Sequence, residues 1–146
     1  MENLGTTVKI ILPIKDKAAW HLPQLKLNSK SQIFILDDQK TMHDFWRLKL
    51  NGLVGLDRIH AFSSTEEFRS YFQAKHYEPE DCIFLFDYDL RATQGNGLDE
   101  LCVLHQKSIR VLVTGHFDMA SVRNFCAING FHLLPKVLAE RLFVST

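Results

Sequence analysis

Apolar residues along this chain gather into short, nearly unbroken runs separated by longer amphipathic stretches. Ile33-Phe34-Ile35-Leu36, Ile83-Phe84-Leu85-Phe86, Ile109 to Val113 and Phe131 to Leu134 are apolar at consecutive rather than alternate positions, which is the pattern of strands in a parallel sheet covered on both faces. Arg58 to Phe62 is a weaker fifth strand. Between the runs, apolar residues recur at helical spacing: Met42, Phe45, Trp46 and Leu50; Phe68, Tyr71 and Phe72; Leu98, Leu101 and Cys102; Val122, Phe125 and Cys126. Ser64 with Glu67 predicts a capping box, and Asn129-Gly130 a helix stop. Strands alternating with helices across short connections predict right-handed crossovers and a doubly wound α/β sheet with helices on both faces. Ligands in such sheets bind at the carboxyl ends of the strands. Residues 1–30 break this rhythm, with one strand-like stretch from Thr7 to Leu12 followed by prolines and a polar Asn28-Ser29-Lys30 run; they predict a leader and linker before a domain at 31–146.

Composition narrows the functional classes. A chain of 146 residues, 46% hydrophobic and 23% charged, is long enough for one packed domain and unlike a disordered segment. Basic and acidic residues balance at 17 each, so no bulk attraction to nucleic acid or to a membrane surface is expected. No apolar stretch reaches the roughly 20 residues of a membrane span. Cys82, Cys102 and Cys126 are odd in number and widely spaced, which predicts buried reduced thiols and a cytoplasmic setting.

The chemistry lies just after the strands. Asp37-Asp38 follows the first, Asp87 ends the third, Thr114 follows the fourth and Lys136 follows the fifth. Taken singly, each has an ordinary role as helix cap, turn former or surface charge. Taken together, they converge on one sheet edge. Three carboxylates brought close repel one another unless a hard cation joins them, which points to Mg²⁺, with Mn²⁺ as the alternative. A metal-held carboxylate beside an ammonium and a hydroxyl is equipped for phosphoryl transfer.

These residues resemble the motifs of the response-regulator receiver family, the CheY-like domains, over about Gln32 to Val144. Ile-Leu-Asp37-Asp38 is similar to the family's acidic pair, Phe-Asp87-Tyr-Asp89-Leu to its phosphoacceptor strand, Val-Thr114-Gly to its hydroxyl position and Leu-Pro-Lys136 to its lysine. The resemblance implies a flavodoxin-like five-stranded parallel sheet in strand order 2-1-3-4-5. It also implies Asp87 as phosphoacceptor, Thr114 and Lys136 as phosphoryl-binding groups, and Asp37, Asp38, Asp87 and the Asp89 carbonyl as metal ligands. Asp89, His116 and Leu133 fall where the family modulates phosphate lifetime and switching. Leu133 stands in place of a common switch aromatic, and Val137 in place of the proline that follows the lysine.

Leu4 to Pro13 is similar to the last strand of the ATP-binding domain of histidine kinases, so the resemblance extends to the carboxyl-terminal receiver of a hybrid sensor kinase in two-component signalling. The implied partners are a histidine kinase or a histidine phosphotransfer domain, with a weak homodimer as a further contact. The implied reaction is receipt of phosphate from a phosphohistidine, with the receiver catalysing only its own phosphorylation and dephosphorylation. Two alternatives stand beside it: a pseudo-receiver that binds proteins without phosphorylation, and an aspartyl phosphohydrolase on a related sheet.

Overall fold

The computed structural model describes residues 22–91 and 95–146, so the strand-like stretch from Thr7 to Leu12 lies outside the described residues. Five parallel strands form the central sheet: β2 (Gln32–Leu36), β3 (Ile59–Phe62), β4 (Cys82–Asp87), β7 (Ile109–Thr114) and β8 (His132–Pro135). They lie side by side as β3-β2-β4-β7-β8. Counted among themselves along the chain, the second strand is at one edge, then the first, third, fourth and fifth. Four further short strands were not expected: β1 (Gln24–Lys26), β5 (Asp89–Leu90), β6 (Gly95–Asn96) and β9 (Phe143–Ser145). The helices are α1 (Lys40–Leu50), α2 (Thr65–Gln73), α3 (Gly97–Val103) and α4 (Ala120–Asn129).

Alternation along each strand divides the core into two layers. Ile33, Ile35, Ile83, Leu85, Val111, Val113 and Leu134 point to one face and pack with Trp46 and Leu50 of α1. Phe34, Leu36, Phe84, Phe86, Leu112 and Leu133 point to the other and pack with Phe68 of α2, Leu98 and Leu101 of α3, and Val122 and Cys126 of α4. The helices start and stop where local chemistry directs. Ser64 Oγ accepts a hydrogen bond from Glu67 N at 3.2 Å, while the Glu67 carboxylate reaches back to Ser63 N at 2.9 Å rather than to Ser64. At the end of α4, Gly130 takes φ 68°, the left-handed conformation that favours glycine.

The predicted linker is partly built into the fold. Leu22, Leu25 and Leu27 are buried in the α1-side layer, and β1 pairs in parallel with β9, Gln24 against Phe143 through Lys26 against Ser145. The packed unit therefore begins no later than Leu22, ahead of the expected boundary at residue 30. After β8, where the alternation of strands and helices would place one more helix, the chain instead makes a 3₁₀ turn at Lys136–Arg141 and then β9. Pairing with β1 accounts for the change, because a strand at 143–145 gains backbone partners that a fraying terminal turn lacks. No helix among the described residues is long and apolar enough to cross a membrane. The three cysteines are free, with Cys82 and Cys126 buried as expected but Cys102 exposed on α3.

Candidate functional site at the carboxyl edge of the sheet

Register brings the strand ends level. Leu36 pairs with Phe86, Asp87 with Val113, and Thr114 with Pro135, so the residues that follow emerge along one edge. Asp37 continues the face of Ile33 and Ile35, Asp87 that of Ile83 and Leu85, and Lys136 that of Leu134. These three side chains meet. Lys136 Nζ lies 2.8 Å from Asp87 Oδ2 and 2.9 Å from Asp37 Oδ2, bridging two carboxylates that are both almost fully buried. Asp38, half-buried, completes the cluster: carboxylate oxygens of Asp37, Asp38 and Asp87 all lie within 4.8 Å of one another.

Local chemistry holds the cluster in place. Asp37 Oδ1 accepts from Gln39 N at 2.9 Å in a turn that leads into α1, and the buried ring of His43 meets the Asp37 carbonyl through Nε2 at 2.7 Å. Asp37 is thus both a turn former and a member of the site. Under Asp87, Gly97 at the start of α3 approaches so closely that a Cβ there would run into the Asp87 carbonyl oxygen.

Burial pushes the Asp87 carboxyl above the usual carboxylate range, and the hydrogen bond from Lys136 offsets this only in part, with the Asp37 charge pushing it further up. Burial pulls Lys136 down, yet its hydrogen bonds to Asp87 and Asp37 carry it above the ordinary lysine value. Lys136 lies between two of the three carboxylates, and the Arg91 guanidinium also feels the charges of Asp38 and Asp87. Carboxylate oxygens this close together could hold a metal ion.

A small cavity of about 140 Å³ opens over the cluster, bounded by Asp87, Asp89, Gly115, His116, Lys136 and Arg91. Asp89 sits in the β5–β6 hairpin, and its Oδ2 accepts from Arg91 Nε at 3.0 Å at the cavity mouth. His116 is exposed, with its ring edge-on to Tyr88 at 5.9 Å. Thr114 is fully buried, and its Oγ1 accepts from His116 N at 2.9 Å. It lies on the Leu112 face of β7 rather than the face carrying Asp87 and Lys136, which is why it stays out of the ion cluster. Leu133 is buried in the layer under α4, where it packs as core. The described residues contain no cis peptide bond, so Lys136–Val137 is trans.

Sequence reasoning gathered the acids and the lysine but missed Arg91, His43 and Gly97. Arg91 stands two residues after Asp89, a spacing that in an extended hairpin places both side chains on one side; that signal was present. Gly97 at a loop-to-helix junction was a further hint of close backbone approach. Comparisons with protein-family models, curated proteins and solved structures find no match. The residues and their geometry therefore carry the functional argument unaided.

Proposed function

We propose that this chain is a receiver-type phosphoacceptor domain of a two-component phosphorelay, with a flavodoxin-like arrangement of its sheet and Asp87 as the phosphorylated residue. The observation that carries this reading is Lys136 Nζ held between the carboxylates of Asp87 and Asp37, with Asp38 beside them, at the carboxyl edge of a parallel sheet. An ammonium in that position pairs with Asp87 before transfer and with a phosphoryl oxygen afterwards, while Asp37 keeps it in place.

In the proposed step an Asp87 carboxylate oxygen forms a bond to phosphorus as the P–N bond of a partner's phosphohistidine breaks. The electron pair returns to the imidazole nitrogen, which takes up a proton. Asp37, Asp38 and Asp87, with the Asp89 carbonyl, would hold Mg²⁺ or Mn²⁺, which when bound neutralises charge on the phosphoryl oxygens. The Thr114 hydroxyl retains a proton to donate, since its oxygen serves as acceptor for His116 N. The Asp89–Arg91 pair and His116 stand at the mouth through which water reaches the phosphate. A histidine kinase or histidine phosphotransfer domain is the partner that goes with this chemistry, in the cytoplasm.

The test is incubation with acetyl phosphate and Mg²⁺, read by intact mass. The expected result is one phosphoryl adduct that is lost in Asp87→Asn. No adduct on the folded wild-type chain, or an adduct surviving in Asp87→Asn, sinks the reading. Calorimetry supplies a separate check: Mg²⁺ should bind the wild type and fail to bind Asp38→Ala. The full burial of Leu133, where the family's switch residue would turn, favours a second reading as a phosphorylation-independent binding module. That module would stay folded and take no phosphate.

A further inference from the structure

At the opposite, amino edge of the sheet sits a buried cation with no counter-charge. Arg110 is the second residue of β7, on the same face as Leu112 and Thr114, and four residues of strand place it about 13 Å from Thr114. The residue is only 7% exposed. Its Nη2 donates to the Asn129 carbonyl at 3.3 Å, and the guanidinium lies over the Phe131 ring at 4.5 Å from the centroid. Its Nε is buried without a hydrogen-bond partner. Among the described residues no carboxylate forms an ion pair with it.

Capping the carboxyl end of α4 explains one of these contacts, because a cation there meets the last helical carbonyls. It leaves most of a five-donor guanidinium unused. Burying a charge without an anion is costly, and such groups are paired in folded proteins almost without exception. Burial accordingly pulls the Arg110 pKa below the ordinary arginine value.

A cavity of about 730 Å³ opens beside Arg110. That volume exceeds what a single inorganic anion fills and falls within the span of small-molecule sites, about 300–1,000 Å³. Leu104, Ile128 and Phe131 give it apolar wall, while His105, Gln106 and Asn129 supply polar groups. His105 Nδ1 accepts from Lys107 N at 3.2 Å, which puts the proton of the neutral ring on Nε2 as a donor.

We propose that this cavity binds a small organic oxyanion, a carboxylate or a phosphate monoester with an apolar body, whose charged end meets the Arg110 guanidinium. The site shares no residue with the acidic cluster and stands whether or not Asp87 is phosphorylated. Arginine suits either oxyanion because its planar fork matches both geometries.

The test is an amide NMR titration of the full chain in metal-free buffer with benzoate, phenyl phosphate and benzyl alcohol, the last having the same body without the charge. Saturable shifts at residues 104–106 and 128–131 are expected with at least one anion in the millimolar range, and none with the alcohol. The tighter of the two anions names the headgroup. Arg110→Gln should abolish binding. Ile128→Glu, at a position 83% exposed and so harmless to the core, should leave the thermal midpoint alone and weaken the anion by roughly tenfold or more through repulsion. Equal binding of benzyl alcohol, no saturable shift with either anion, or unchanged affinity in Ile128→Glu would each overturn the proposal.

Discussion

On one face of the sheet Phe34, Phe68, Phe84 and Phe86 interlock beneath three helices, with Phe34 stacked on Phe84 at 5.1 Å and Phe68 edge-on to Phe86 at 4.9 Å. On the other, Ile33, Ile35, Leu85 and Val113 lie beneath α1 and a pair of three-residue strands drawn from residues 24–26 and 143–145. The first layer is assembled from helices that each follow their own strand, and its longest ring contact, Phe34 to Phe84, reaches across 50 residues. The second is completed by a pairing across nearly the whole described chain. Lys136, Asp37 and Asp87 belong to the second face, and Lys136 opens the turn that leads into β9. The cation of the candidate site is therefore anchored by the less local of the two layers.

Deleting residues 1–30 should do the most damage, and do it on the α1 side of the sheet. It removes Leu22, Leu25 and Leu27 from the core, and with each buried leucine worth about 2–5 kcal/mol the loss rivals a typical total stability of about 5–15 kcal/mol. The expected outcome is loss of the cooperative thermal transition, and an unchanged melt would mean that β1 is merely laid on a finished domain. Next in size is Phe84→Ala on the aromatic face, expected to cost about 3–5 kcal/mol in chemical denaturation. Leu25→Ala on the other face should cost about 2–5 kcal/mol and, unlike Phe84→Ala, should also broaden the amide signals around Lys136.

The smallest effect concerns one histidine near each face. Burial, with help from the Lys75 charge, holds His60 below the ordinary 6.5, and burial alone does the same for His132. His60 is fitted to the neutral state, its Nε2 donating to Gln32 Oε1 at 3.0 Å while Nδ1 accepts from Tyr71 at 2.9 Å. Because the unfolded chain takes up these protons first, the contribution of both residues is complete above the unfolded value of about 6.5 and is lost as pH falls through it. Stability measured between about pH 7.5 and pH 5.5 should decline with acidification. His60→Asn and His132→Asn should each flatten part of that slope, and an unchanged slope in both variants would assign the acid loss elsewhere.

The strands of the central sheet were legible because residues buried on both faces leave consecutive apolar runs, and the site was legible because strand ends share an edge. Leu25-Lys26-Leu27 also alternates as a strand should, but Pro23 before it and Asn28-Ser29-Lys30 after it carry stronger turn signals, and its partner lies far away in sequence. The position of Thr114 beside the ion cluster rather than within it follows from strand parity, which could have been counted from Ile109 onward. Arg110 gave no warning. A lone arginine inside an apolar run reads the same whether it meets a carboxylate or none, and only the packing of Phe131 and Asn129 around it reveals the difference.

The parallel pairing of β1 with β9 also has a mechanical side. A pull applied backward at residue 22 and forward at residue 146 would slide the two strands lengthwise past each other, loading their cross-strand bonds together instead of peeling them one by one. The same tug would bear on the turn that begins with Lys136, so tension along the chain and the geometry around Asp87 are linked through six residues of backbone, Lys136–Arg141.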